Sequence, residues 1–321
     1  MSLRYAIIGT GAIGGYYGGR LQQAGGDVHF LLHSDYEQVK QQGLRVESVD
    51  GDFELTDVNA YQNPADMPPV DVVVVALKTT HNDKLAELMP PLNSGAVVLS
   101  LQNGLGVERA IAQYLKETKG ISPDILGGLC FIYANKPGPG HIQHLGYGKL
   151  LLGAYDESER SCSITPRGRA IAADFERTTI AVETTEDLPM ARWRKLVWNV
   201  PYNSLSVILD ATTGEMMADE GVRSLIKTLM REVVAIANAW GENISPGANR
   251  SISSDFIEKM LDITAEVSTY RTSMKVDYDR QRALEVETIL GKPLDVAEAL
   301  GVSVPAMTML YHQLSFLNKQ I

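Results

Sequence analysis

The stretch "AIIGTGAIGGYYGGRL", residues 6–21, decides the fold, because an apolar run leads directly into a segment that holds six glycines. The run "RYAIIG" (4–9) is typical of a buried strand, and the apolar spacing over 12–25 predicts a helix. The pattern Gly9-x-Gly11-x-x-Gly14 therefore lies where a strand turns into a helix.

This position favours a dinucleotide-binding turn over a turn that is merely rich in glycine. The first glycine permits the tight turn, the second lets a pyrophosphate approach the backbone, and the third lets helix and strand pack closely. The backbone N–H groups at Ala12, Ile13 and Gly14 would then face the phosphates at the helix N-terminus. We expect Gly18 and Gly19 to serve packing instead.

Strand and helix signals alternate through the first half of the chain, which predicts a doubly wound sheet. The predicted strands of this half are 4–9, 27–32, 70–77 and 95–101, a hairpin over 44–58 and a strand pair over 125–155. Strand signals end near residue 189, and the predicted helices beyond it are 189–209, 219–241, 253–264, 279–290 and 294–316. The fold class is therefore α/β, with an N-terminal Rossmann-type domain (1–187) and an all-helical C-terminal domain (188–321).

The composition excludes several classes of protein. The net charge of −10 and the pI near 5.1 argue against a nucleic-acid surface. We find neither a signal peptide nor an apolar run long enough for a membrane span, so we expect a cytoplasmic protein. Cys130 and Cys162 do not have the spacing of a metal site, and we expect no metal and no disulfide.

The end of the second predicted strand, "FLLHSD" (30–35), bears on the choice between NADP and NAD. An acidic residue at this point would bind a ribose 2′-hydroxyl, whereas a basic residue accommodates a 2′-phosphate. His33 and Ser34 can both donate hydrogen bonds to a phosphate, while Asp35 carries the opposing charge. NADP is favoured, and NAD is not excluded.

Two polar residues follow strands whose carboxyl ends meet at the ligand-binding edge of such a sheet. Lys78 follows "VDVVVVAL" and would hold the cofactor or an anionic substrate, although it could also be a loop lysine. Asn103 in "SLQNGLG" would orient nicotinamide and substrate, although Asn-Gly could also form a plain turn.

The segment "WRKLVWNVPYNSLS" (193–206) brings three polar side chains into line. Lys195, Asn199 and Asn203 are four residues apart and so share one helix face, beside several apolar neighbours. A partly buried lysine suits proton donation to a carbonyl, although the row could also be a surface stripe. Pro201 should break or kink this helix.

A charged segment near the C-terminus carries Ser273, and the spacing of Glu285 and Glu287 predicts that both lie around a helix face. By itself this pattern indicates only a solvated helix.

These motifs together resemble the ketopantoate reductase family over nearly the whole chain. The resemblance implies a helical second domain of the 6-phosphogluconate-dehydrogenase type. It also implies reduction of a 2-oxo acid, ketopantoate, to pantoate by NADPH, as in pantothenate biosynthesis. Lys195 matches the general acid and Glu285 the glutamate that orients it. Lys78 matches a cofactor-side lysine, and the implied substrate or nicotinamide contacts are Asn103, Asn199, Asn203 and Ser273.

The resemblance leaves three features of the protein open. His33 stands where the family usually has arginine, so NAD stays open as the cofactor. The substrate could be another branched 2-oxo acid, or the chain could be a non-catalytic NADP-binding redox sensor. The apolar stripe over 222–240 is typical of an intradomain core, but it could also form the face of a homodimer.

Overall fold

The structure is a computed structural model that describes residues 3–265 and 270–321. The chain divides into two compact units. The first unit comprises Met1–Gln102 and Val107–Leu188, and the second comprises Asn103–Gly106 and Pro189–Ile321. The sequence-based boundary at 187/188 places residues 103–106 in the first domain, whereas these four residues pack with the second unit.

The strands of the described residues all belong to the first unit, which also contains five α-helices. Its strands are β1 (Arg4–Ile8), β2 (Asp27–Leu31), β3 (Leu44–Ser48), β4 (Phe53–Leu55), β5 (Asn59–Tyr61), β6 (Val70–Val75), β7 (Leu92–Ser100), β8 (Asp124–Gly138), β9 (His141–Ala154) and β10 (Val182–Thr185). Its α-helices are α1 (Ala12–Gln23), α2 (Tyr36–Gln42), α3 (Leu85–Leu88), α4 (Val107–Lys119) and α5 (Pro166–Glu176).

The strands form one sheet in the order β4-β3-β9-β8-β7-β6-β1-β2-β5, with β10 beside β9. Strands β2, β1, β6, β7 and β8 are parallel neighbours, and the register pairs Ile8 with both Leu31 and Val75. The chain leaves β1 toward β2 on one side and returns through β6 on the other side. The strand order therefore reverses beside β1, and in such sheets ligands bind at the carboxyl ends next to this reversal.

The sheet is buried on both faces, as an all-apolar parallel strand requires. The residues Val72–Val75 of β6 are fully buried. Helix α1 lies close to the sheet at Gly18, where a Cβ atom would come within 2.8 Å of Ile7 Cγ1 and of Phe30 Cε1. The packing role predicted for Gly18 is confirmed.

The second unit is helical over its described residues, as predicted. Its helices are α6 (Leu188–Ile208, whose first residue ends the first unit), α7 (Thr213–Ala218), α8 (Glu220–Ile244), α9 (Asp255–Ala265), α10 (Ser273–Asp279), a π-helical turn (Glu287–Gly291), α11 (Lys292–Leu300) and α12 (Pro305–Asn318). The apolar stripe of α8 lies in the core of this unit, with Ile226, Leu229 and Val233 fully buried. None of the helices in the described ranges is long and apolar enough to cross a membrane.

Two predicted helices have other bounds in the structure, and a third continues where Pro201 predicts a break or a kink. Helix α6 continues through Pro201, since fully buried neighbours such as Val200 and Tyr202 offset the helix-breaking cost of about 3 kcal/mol. The predicted helix 279–290 is interrupted, because Gln281 has a left-handed φ of 52° after the end of α10. The predicted helix 294–316 is two helices, separated where Gly301 adopts φ 67°.

Candidate functional site

The carboxyl ends of β1, β2 and β6 form one edge of the first unit, which we call the nucleotide edge (Gly9–Gly14, His33–Asp35 and Ala76–Lys78). Because Ile8, Leu31 and Val75 are in register, these three segments start side by side. Two hydrogen bonds join them further: Thr10 Oγ1 donates to the carbonyl of Leu31 at 3.1 Å, and the Ala76 N–H donates to the carbonyl of Ile8 at 2.8 Å.

The three motif glycines differ in what a side chain at each position would meet. Gly9 has φ 92°, and a Cβ atom there would lie 2.6 Å from the Leu77 nitrogen. A Cβ atom on Gly14 would lie 2.4 Å from the Gly9 carbonyl oxygen, so a side chain would push helix and strand apart. A Cβ atom on Gly11 would meet nothing within 4 Å, so the space beside this residue is open.

Helix α1 begins at Ala12 directly beside this open space. Its N-cap residue, Gly11, has no side chain that could accept a hydrogen bond from the first turn. Uncapped N–H groups and the positive end of the helix dipole attract a phosphate. The residues present therefore fit the diphosphate of a dinucleotide, as the sequence pattern predicts.

The segment after β2 presents polar groups of two kinds. His33 and Ser34 are exposed, whereas Asp35 is buried. Asp35 accepts hydrogen bonds from Ser34 Oγ at 3.0 Å and from the Gly140 N–H at 3.0 Å, and it forms an ion pair with Lys136. Burial raises the pKa of the Asp35 carboxyl, but the bonds from Lys136 and Gly140 outweigh burial, so that its pKa lies below the ordinary 3.8.

Lys78 lies three residues beyond β6 and is partly exposed, at the start of a 3₁₀ turn (Thr79–Lys84). The neighbouring strand end is tied to the same turn by Gln102. Its Nε2 atom donates to the Leu77 carbonyl at 3.0 Å and to Asn82 Oδ1 at 2.6 Å. Gln102, the residue directly before the segment 103–106 of the second unit, thus fixes the backbone that carries Lys78.

In the second unit, α6 carries Lys195, Asn199 and Asn203 at intervals of four residues, as predicted. Lys195 is partly exposed, while both asparagines are buried. The Lys195 ammonium donates a hydrogen bond of 2.8 Å to Oδ1 of Asn103. Two residues that are 92 positions apart in the chain therefore meet directly.

Asn103 belongs to this unit because its segment is anchored to the π-helical turn. The Leu105 N–H donates to the Thr288 carbonyl at 2.8 Å. Gly104 has φ 99°, and a Cβ atom there would lie 2.5 Å from the Cβ atom of Thr288. The close approach of Gly104 and Thr288 fixes the segment that presents the Asn103 amide to Lys195.

Asn203 holds the start of α10, where Ser273 is the first helical residue. Its Oδ1 atom accepts a hydrogen bond of 3.4 Å from the Met274 N–H. One turn along α6, Ser206 Oγ lies 2.7 Å from Thr272 Oγ1. These bonds fix the backbone of Ser273 against the face of α6 that carries Lys195, and Ser273 itself remains partly exposed.

Glu285 does not lie on a helix face, contrary to the prediction. It lies in the non-helical connection 282–285 between α10 and the π-helical turn, and its side chain is buried. Its carbonyl accepts a hydrogen bond of 3.2 Å from the Ile289 N–H at the start of that turn. Glu287 is directed elsewhere, since its carboxylate accepts a hydrogen bond of 3.0 Å from the Tyr311 hydroxyl.

The sequence analysis did not identify two residues: Lys136 beside the nucleotide edge and Thr288 beside the segment of Asn103. Lys136 lies on β8 in a Pro/Gly-rich stretch, and Thr288 lies between a glutamate and an isoleucine in an ordinary helical pattern. Neither residue has a motif, since each is placed by a contact with a segment more than 100 residues away in the chain.

Comparison with known proteins gives matches over both units. The family model described as ketopantoate reductase PanE/ApbA matches residues 5–157, and the model for its C-terminal part matches residues 187–318. The chain is 53% identical over 316 residues to a 2-dehydropantoate 2-reductase of Nostoc sp., covering 98% of this chain and 95% of the relative.

Solved structures give a consistent result. A crystal structure of 2-dehydropantoate 2-reductase from Geobacter metallireducens GS-15 matches with a TM-score of 0.88 and 38% identity over 99% of both chains. The corresponding enzyme from Methylococcus capsulatus matches with a TM-score of 0.85 and 29% identity, over 99% of this chain and 97% of that one.

Proposed function

The chain belongs to the ketopantoate reductase family, and we propose that it reduces the C2 carbonyl of ketopantoate (2-dehydropantoate) to the hydroxyl of pantoate. The observation that carries this proposal is the hydrogen bond between Lys195 and Asn103, beside two further amides on the same face of α6. An ammonium group held by an amide oxygen is suited to protonate the oxygen of a ketone as a hydride reaches its carbon.

The cofactor is a nicotinamide dinucleotide, which supplies the hydride when bound. Gly9, Gly11 and Gly14 shape the turn that would receive its diphosphate, and the N–H groups of Ala12 and Ile13 at the uncapped helix start would hold the phosphates. Lys78 adds a positive charge at the same edge of the sheet.

Lys195 is the proton donor of the reaction. Its hydrogen bond to Asn103 orients one N–H, and a second N–H is directed to the substrate oxygen. We assign Glu285, whose side chain is buried, to the orientation of this ammonium. The proton that Lys195 gives to the new alkoxide is replaced from solvent, so each turnover consumes one hydride and one proton.

The remaining polar side chains bind the substrate. Asn199 lies one turn from Lys195 on α6, and Ser273 is the first residue of α10, with a partly exposed side chain. Asn203 positions Ser273 through the Met274 N–H and has its amide NH₂ group left for the substrate.

NADPH is the preferred dinucleotide. Of the two exposed side chains after β2, His33 can donate a hydrogen bond to a phosphate, whereas the Ser34 hydroxyl donates to Asp35. The only carboxylate of this segment, Asp35, is buried against Lys136. A ribose 2′-hydroxyl bound by an acidic side chain, as in NAD enzymes, needs a carboxylate that is accessible.

The test is the oxidation of NADPH by the purified protein with a panel of 2-oxo acids, repeated with NADH. We expect ketopantoate to give the highest kcat/KM and NADPH to exceed NADH. A higher kcat/KM with another branched 2-oxo acid would show that this acid is the substrate, while the proposed type of reaction would stand. Cofactor binding without turnover on any 2-oxo acid would overturn the proposal.

A further inference from the structure

Strand β8 brings a lysine to the nucleotide edge of the first unit. Lys136 forms an ion pair with Asp35, and its ammonium also donates a hydrogen bond of 3.3 Å to the carbonyl of Thr10, between Gly9 and Gly11. The lysine therefore connects the dinucleotide-binding turn with the segment that follows β2. In a Rossmann fold the adenosine ribose of the dinucleotide lies between these two elements.

The carboxylate and the ammonium of this ion pair differ in their exposure. The side chain of Asp35 is 6% exposed, whereas that of Lys136 is 25% exposed. The oxygens of Asp35 are occupied by Ser34 Oγ on one side and by the Gly140 N–H and Lys136 on the other. Asp35 is thus the more buried partner, and Lys136 is the side chain of the pair that remains partly accessible.

Ser34 brings a hydroxyl group close to the ammonium. Its Oγ atom and Lys136 Nζ contact the two oxygens of the same carboxylate, and a carboxylate spans only about 2 Å between its oxygens. His33 is exposed immediately before Ser34. One cation and two polar side chains are therefore grouped where a basic residue at the end of β2 would otherwise be needed.

We propose that Lys136 is a specificity-determining residue that recognises the 2′-phosphate of NADPH, together with His33. This inference rests on the proposed dinucleotide cofactor. A lysine serves a phosphate as a point charge, and the Asp35 carboxylate holds its stem in place beside Thr10. The chain thus obtains from β8 the positive charge that the residue after β2 does not supply.

The direct test is calorimetric binding of cofactors and fragments to the full chain and to Lys136→Met. We expect NADPH and adenosine 2′,5′-bisphosphate to bind about 10- to 100-fold more weakly, the effect of a lost charge-assisted hydrogen bond. NADH and AMP should bind within about twofold of their wild-type dissociation constants. An equal loss for ligands with and without the 2′-phosphate, or no loss for either, would overturn the proposal.

Two further variants separate recognition from stability. Lys136→Met leaves Asp35 buried without a cation, so the double variant D35N/K136M restores an uncharged pair and should recover the melting temperature. Its discrimination between NADPH and NADH should stay low, whereas Lys136→Arg should restore much of it. Full recovery of discrimination in D35N/K136M would mean that the lysine acts only by neutralising Asp35, which contradicts the proposal.

A matched control comes from the same strand pair. Lys149 on β9 forms an ion pair of 2.9 Å with Glu183 on β10, and Lys149→Met should leave all four dissociation constants unchanged.

The reductase activity is measured separately on the wild type. Equal affinity for NADPH and NADH would refute the role of Lys136 and leave the reductase proposal intact. A strong preference for NADPH without turnover of any 2-oxo acid would support the role of Lys136 and refute the reductase proposal.

Discussion

The nucleotide edge of the first unit offers a ligand different groups from those around Lys195 in the second unit. The groups of this second region are Lys195, Asn103, Asn199, Asn203, Ser273 and Glu285. The first offers backbone: an uncapped helix start, a turn without side chains and open space beside Gly11. The second offers side chains: an ammonium, several amides, a hydroxyl and a buried carboxylate. Backbone groups suit a cofactor that must be held, whereas side chains that exchange or orient protons suit a substrate that must be changed.

The largest expected effect tests the second region. Lys195→Met should lower kcat by about 10²- to 10⁴-fold, because the proton donor is lost. The dissociation constant of NADPH, measured by fluorescence titration, should stay within about twofold.

Its control is Lys227→Met on α8, a lysine of the same unit that forms an ion pair with Glu258 on α9. Turnover should be unchanged there. A Lys195→Met enzyme with near wild-type kcat would remove Lys195 from the chemistry.

The next effect tests whether Asn103 must be held by the π-helical turn. Gly104→Ala would place a Cβ atom 2.5 Å from that of Thr288 and should displace Asn103 from Lys195. A displacement of about 1 Å can cost up to about 10²-fold in kcat.

Gly106→Ala is a matched control, since Gly106 also has a positive φ, 72°, but its Cβ atom would meet nothing within 4 Å. Both variants place an alanine at a positive φ, but only Gly104→Ala should also displace Asn103, so only this variant should change kcat and the pH dependence of turnover. Equal losses in the two variants would show that backbone strain alone is responsible.

A smaller effect separates binding from packing in the first region. Gly11→Val should raise the dissociation constant of NADPH about tenfold or more, because its side chain would fill the open space beside the turn. Its melting temperature should match the wild type.

Gly18→Ala should lower the stability of the protein and leave the dissociation constant of NADPH unchanged. Its Cβ atom would meet Ile7 and Phe30 at 2.8 Å, and overpacking of this kind costs about 1–3 kcal/mol of unfolding free energy. Urea unfolding and cofactor titration of the two variants should therefore give contrasting results. If Gly11→Val lowers stability as much as Gly18→Ala, Gly11 serves packing.

The smallest effect concerns pH. The pKa of Asp35 is lowered in the folded protein, so its ion pair and hydrogen bonds contribute stability above the unfolded pKa of 3.8. This contribution is lost as the pH falls from 3.8 through the lower folded value, because the unfolded state binds the proton before the folded state does. Urea unfolding from pH 6 to pH 3 should show a shallower loss for Asp35→Asn than for the wild type. Asp66→Asn, at an exposed position, should follow the wild-type curve.

The two regions also differ in how far the sequence predicts them. Gly9, Gly11 and Gly14 act through local backbone geometry, so their spacing between a strand and a helix is sufficient to identify the turn. The row of Lys195, Asn199 and Asn203 is likewise a local pattern of one helix. Local patterns of this kind predicted the alternating strands and helices of the first unit and the helical character of the second.

Long-range contacts determined what the sequence could not predict. Asn103 follows a strand of the sheet, but the contacts of Gly104 and Leu105 with Thr288 place its segment in the second unit. Glu285 lies in a non-helical connection that is held by a distant residue, since the Leu284 N–H donates to Asn318 Oδ1 at 2.7 Å. Helix α6 passes Pro201 because tertiary packing outweighs a local preference. Each outcome depends on which distant residues are neighbours, and a single sequence does not contain that information in local form.

The central claim is that the first unit holds the cofactor and Lys195 of the second unit performs the proton transfer. Stopped-flow measurement of a single turnover with ketopantoate, at saturating NADPH, tests this separation most directly. Gly11→Val should transfer hydride within about threefold of the wild-type rate once saturated, whereas Lys195→Met should remain slower by about 10²-fold or more. A slow Gly11→Val enzyme at saturation, or a fast Lys195→Met enzyme, would contradict the account.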